Sequence, residues 1–237
     1  MRAILISYAM LLKQIRNDGM LVAVSLASVL AGFFFRFAVP SLERILCSYL
    51  AVDAVLKPYY RLFDLLLILL APYMLCFAAA MVMLDEHEQG LTRYLSVTPL
   101  QTRGYLISRL GLPAGFSALV SMLLIGFFRL TPWNVFILAG TSMLSSLCGF
   151  SVSLFLFSCS RNKVEGMAMG KLSGILLIGL PVPFFLHSSW QYMFSLLPSY
   201  WLARYALQGS AAWLIASLLT SLAGMFMLYR RVVRKLV

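Results

Sequence analysis

The chain has 237 residues, 62% of them hydrophobic and only 11% charged, with a mean hydropathy of +0.90. Soluble domains lie nearer half apolar and a quarter charged, so this composition excludes an aqueous globular core and indicates an integral membrane protein. The net charge of +11 does not call for a nucleic-acid partner, because the basic residues flank the apolar runs, where they face anionic lipid headgroups.

In chain order, Ile4, Leu5, Tyr8, Leu11, Leu12 and Ile15 recur at helical spacing, with Lys13, Gln14 and Arg16 off that stripe. The pattern predicts an interfacial amphipathic helix over residues 1–18, broken at Asn17-Asp18-Gly19 before the chain enters the bilayer. Uncharged runs then cover residues 19–35, 65–84, 110–128, 130–160, 172–203 and 205–229. A helix needs about 20 apolar residues to cross a hydrocarbon core of roughly 30 Å. The two longest runs are too short for two crossings and a turn, so residues 19–237 predict six spans. The first run reads as a retained span, since it lies far from the start and has no small-residue cleavage site.

Six crossings put both termini on one side, together with the loops around residues 84–109 and 160–171. That side collects thirteen lysines and arginines against six on the other, which makes it cytoplasmic. Cys47, Cys76, Cys148 and Cys159 are divided between the spans and the two faces, so no disulfide framework is expected. The middles of the spans carry no charge. Asp64 falls at the outer end of the second span and Lys171 at the inner start of the fifth. A carrier driven by an ion gradient keeps ionisable groups inside the membrane, so a secondary transporter or a scaffold is the lesser alternative. An enzyme is disfavoured as well. His87 opens His-Glu-Gln-Gly-Leu without the second histidine of a zinc motif, and neither a Gly-x-Ser-x-Gly elbow nor a Walker A loop occurs.

The most polar stretch is "LDEHEQGLTRYLSVTPLQTRGY", residues 84–105, with three of the eight acidic residues. Acids favour a helix start and oppose a helix end, and Asp85 and Glu88 have the spacing of an N-cap and its third-position partner. The expectation is therefore a new short helix beginning at Asp85, bending at Gly90 and presenting Leu91, Tyr94 and Leu95 on one face. Thr98, Pro99 and Gln101 give a second start signal leading into the third span. The first outer loop, residues 40–61, shows no strong helix signal. Pro181 and Pro183 end or kink the fifth span early. Residues 190–207, apolar but broken at Pro198-Ser199, suit a re-entrant hairpin on the outer side. Gly140, Ser142, Ser145, Ser146 and Gly149 in the fourth span would let helices approach closely.

The segment "DEHEQGLTRYLSVTPLQTRGYLISR" resembles the cytoplasmic loop between the second and third spans of type-2 ABC exporter permeases. "NKVEGMAMGK" and "LLPSYWLARYAL" lie where small drug-exporter members carry similar strings, so the resemblance covers most of the chain. It implies an all-α, half-size permease domain spanning residues 1–237, located in a bacterial plasma membrane. The short helix would be a coupling helix docking on a separate ATPase through Asp85, Glu86, Glu88, Gly90, Leu91, Leu95, Val97, Thr98 and Pro99. It further implies two P-loop ATPase subunits that hold the ATP and Mg, a second permease, identical or paralogous, and no cofactor in this chain. A path lined by the second and fifth spans would present Met74, Phe77, Met81, Phe184 and Phe185 to an apolar or amphipathic drug, lipid or peptide, with export and antibiotic resistance as the expected role.

Overall fold

The structure is a computed structural model that describes residues 2–91, 101–186 and 188–236. It is helical, with six helices or helix runs long and apolar enough to cross a membrane. Helix α1 (Arg2–Asn17) turns Ser7 and Leu11 inward and leaves Leu5, Ile6, Met10 and Leu12 open. One apolar side thus packs on protein while the other is free to enter lipid, as an interfacial helix requires. Asp18 makes the expected break. Its carboxylate accepts from the backbone N–H of Met20 and Leu21 and so caps α2 (Gly19–Leu50).

Helix α2 corrects the expectation of an unstructured outer loop from residue 40. It continues through Pro40 to Leu50 and stops only at Ala51, which has a positive φ of 51°. A proline removes one N–H and does not by itself end a helix that is held elsewhere. Here the hold is Glu43, which is 4% exposed. Its carboxylate accepts from Val55 N–H at 3.0 Å and Leu56 N–H at 2.5 Å, folding the returning chain against the helix.

Helix α3 (Tyr60–Glu88) is the centre of the bundle, and Leu65, Ile68, Ala71, Ala78, Ala79, Ala80 and Met83 on it are fully buried. It packs on the third span, which is built from α4 (Gln101–Leu106), a π-turn (Ile107–Gly111) and α5 (Leu112–Phe128). It packs still more extensively on α6 (Val135–Cys159). The α3–α6 approach is close because Gly149 lies over Pro72, where an added Cβ would fall 2.7 Å from the Pro72 carbonyl oxygen. Asp64, 2% exposed, shapes the turn between α5 and α6. Its carboxylate accepts from Leu130 N–H (2.9 Å), Thr131 N–H (3.0 Å), Thr131 Oγ1 (2.6 Å) and Trp133 Nε1 (2.9 Å).

The fifth span also differs from expectation. Its helix starts at Lys163, not after Lys171, because Asn162 caps it by accepting from Glu165 N–H at 2.8 Å. Helix α7 (Lys163–Ser173) passes into a 3-10 turn (Gly174–Leu177) and, past Pro181, into α8 (Val182–Phe185). The segment expected as a hairpin forms a 3-10 stretch (Ser189–Leu196) and helix α9 (Pro198–Gln208), which buries Tyr200, Leu202 and Ala203. Helix α10 (Ala211–Leu236) lies along α6 and α9. Ser142 and Ser145 on α6 and Ser217 and Ser221 on α10 are buried, in keeping with close approach of small-residue helices.

Candidate functional site

The charged corner is built differently from the sequence expectation. Asp85, Glu86, His87 and Glu88 do not start a new helix but form the last turn of α3, which Gly90 ends at φ +75°. Acids at this end oppose the helix dipole by roughly 0.3–1 kcal/mol each. Neighbouring donors supply the compensation. Glu86 is 3% exposed and accepts from Tyr105 OH at 2.9 Å and Arg109 Nε at 3.1 Å, with Arg109 Nη2 on its second oxygen. Arg109, equally buried, donates through Nη1 to the Ser7 carbonyl at 2.7 Å, and Ser7 Oγ lies 3.0 Å from Ser108 Oγ. A two-pronged arginine–carboxylate pair is strong and directional. This one joins α1, the end of α3 and the π-turn of the third span.

A second clasp joins the starts of α2 and α7 to the same corner. Lys163 Nζ lies 2.5 Å from Asp18 Oδ2, and Lys163 N–H donates to Glu88 at 3.3 Å. The side-chain hydrogen bond with Lys163 holds the Asp18 carboxyl below its ordinary value. Asp85 is half-buried beside a cleft of about 200 Å³ that also meets Asp18 and Lys163. On the outside of the corner Glu88, Gln89 and Leu91 are exposed and Gly90 is half-buried. Leu95, Val97, Thr98 and Pro99 lie outside the described residues. Sequence reading missed Arg109, Tyr105 and Ser7. Arg109 stands alone at the head of an apolar run, and nothing in its spacing names Glu86, 23 residues away, as its partner.

Of the five residues expected along a path, Phe77 and Met81 face α7. An added Cβ would fall 2.4 Å from Phe77 at Gly170 and 2.9 Å from Met81 at Gly166. Tyr73 OH reaches the Gly170 carbonyl at 3.0 Å and Ser173 Oγ at 2.7 Å. The second and fifth spans are therefore closed on each other at this seam. Met74 and Phe184 are half-buried. Phe185 is exposed and stacks on Tyr59 at 5.1 Å. None of the five lines the small enclosed cavity of about 20 Å³ between Tyr73, Gly149, Val152, Leu176 and Ser199. Among the described residues no cluster of three His, Cys, Asp or Glu is arranged to hold a metal.

With this arrangement in view, comparison with known proteins places the chain. A sequence model of the fluoroquinolones export permease protein Rv2686c-like family matches residues 11–229. The chain belongs to this family. Two relatives from Mycobacterium tuberculosis are the fluoroquinolones export permease proteins Rv2686c (strain ATCC 25618 / H37Rv) and MT2760 (strain CDC 1551 / Oshkosh). Each is 27% identical over 225 residues, covering 91% of this chain and 88% of the relative. No solved structure matches. Family membership and six apolar helices make the chain a multi-pass permease of the bacterial plasma membrane.

Proposed function

We propose that this permease is the membrane half of an ATP-driven ABC exporter that moves an amphipathic or apolar compound outward, in the chemical class that includes the fluoroquinolones for which its relatives are named. The observation that carries the proposal is the corner at the end of α3. Its outer side presents Glu88, Gln89 and Leu91, while Glu86 behind them is locked to Arg109 and through it to α1. A push on the exposed side would reach three elements as one rigid unit. In this reading Asp85, Glu88, Gly90 and Leu91, together with Leu95, Val97, Thr98 and Pro99, meet the ATPase. Glu86 serves inside as the anchor. Two ATPase subunits hold the ATP and Mg, and a second permease, identical or paralogous, completes the path. Separation of α3 from α7 at the Gly166/Gly170 seam would expose Phe77 and Met81 to the substrate.

The test is affinity purification of the full chain from its own membranes in mild detergent, followed by mass spectrometry and a transport assay in inverted vesicles. A P-loop ATPase should accompany the wild type, be lost with Glu88→Arg plus Leu91→Asp, and drive uptake on ATP addition. Uptake that ignores ATP and stops when a proton gradient is collapsed would overturn the proposal.

A further inference from the structure

On the face opposite the termini an open groove of about 580 Å³ runs between α2 and α5, lined by Val29, Phe33, Phe37, Val120, Leu123 and Phe127 among others. The two helices come together below it because Gly32 leaves room for the Phe128 ring, where an added Cβ would fall at 2.7 Å. The groove continues past Arg36 and Phe127 into a polar mouth of about 410 Å³, to which Arg129 and Thr131 also contribute. Arg36 Nη1 donates to the Arg129 carbonyl at 2.7 Å, so the ends of the two helices, and the two arginines with them, are held at one place. Both arginines are exposed, and among the described residues neither is ion-paired with a carboxylate. The nearby Asp64 is turned inward and saturated by the four donors given above, and among the described residues no acidic one lines the mouth.

We infer that this groove is a binding site for an acidic phospholipid of the outer leaflet, with one acyl chain along Phe33, Val120 and Leu123 and the phosphate between Arg36 and Arg129. The groove supplies apolar surface at hydrocarbon depth, and the arginines stand where spans end and headgroups begin. Guanidinium groups take phosphate oxygens in pairs. An acidic headgroup offsets one of the two positive charges with no cation of its own, whereas a zwitterionic one brings a third cation to a mouth that already holds two.

The experiment is native mass spectrometry of the full chain in mild detergent with equimolar phosphatidylglycerol and phosphatidylcholine of identical acyl chains. The wild type should retain phosphatidylglycerol in preference by on the order of tenfold or more, the combined effect of two basic residues at a membrane surface. Arg36→Gln plus Arg129→Gln should bring the two lipids to parity, and the paired lysine substitutions should keep most of the preference. Arg129→Gln alone spares the Arg36 hydrogen bond to the backbone, so it should lower the preference without lowering the melting temperature. Leu123→Trp should reduce retention of both lipids. Equal binding by the wild type, a preference that survives the double glutamine variant, or unchanged retention in Leu123→Trp would each overturn the inference. So would a second copy of the chain found cross-linked across Phe33 and Leu123.

Discussion

Replacing Arg109 with methionine removes one member of a pair whose side chains are only 3% and 4% exposed. Glu86 then keeps the Tyr105 hydroxyl as its remaining partner from this network, and the Ser7 carbonyl loses its donor. Breaking a buried pair from one side costs about 3–5 kcal/mol, because an uncompensated charge is left behind. Replacing both members with apolar groups of similar volume is often close to neutral. Arg109→Met should therefore lower the melting temperature by roughly 6–20 °C, at about 2–4 °C per kcal/mol for a chain of this size. Glu86→Met should do much the same, leaving the guanidinium stranded. The double variant should be more stable than either single one, with a coupling of roughly 3 kcal/mol. A thiol-reactive dye in a detergent melt reports this directly, since Cys76 and Cys148 are buried in the folded chain. Single variants within about 2 °C of wild type, or a double variant equal to the sum of the singles, would refute the idea that this pair is a structural lock.

Asp64→Ala strands four donors at the α5–α6 turn and should cost at least about 4 kcal/mol at 1–3 kcal/mol per buried unpaired group, with Asp64→Asn recovering part of it in the same melt. Gly149→Ala should cost about 1–3 kcal/mol because the new methyl meets Pro72 backbone, which cannot swing aside, whereas Gly126→Ala, with nothing within 4 Å, should be neutral. Asp18 is held below its ordinary value of 3.8 by Lys163, so its stabilising share is complete above that pH and is lost as the pH falls through the depressed folded value. Melting curves of wild type should drop more steeply there than those of Asp18→Asn, which keeps the helix cap but not the charge; parallel curves would remove Asp18 from the clasp.

The sequence by itself determined what the solvent demands. In hydrocarbon every backbone N–H and C=O must be satisfied within the protein, and continuous uncharged runs of about 20 residues, twice the length of a barrel strand, do so as helices. The amphipathic stripe before Asp18, the break there and the six crossings followed from local pattern alone. What the tertiary structure decided were the places where a local rule met a distant partner. Asp85 to Glu88 violate the helix-dipole preference, and that preference, with the capping spacing of Asp85 and Glu88, put them at the start of a helix. Arg109 and Tyr105 receive Glu86, and Lys163 meets Glu88, so α3 runs on to Gly90. Pro40 looked like a boundary, yet Glu43 holds the helix beyond it to a returning strand of chain twelve residues on. Lys163 opens the fifth span because Asn162 caps it, and its side chain reaches Asp18, 145 residues away, which no spacing rule could name. Dipole and cap preferences are worth about 1 kcal/mol each, while leaving one member of a buried ion pair without its partner costs several. Where the two conflicted, the long-range interaction set the geometry.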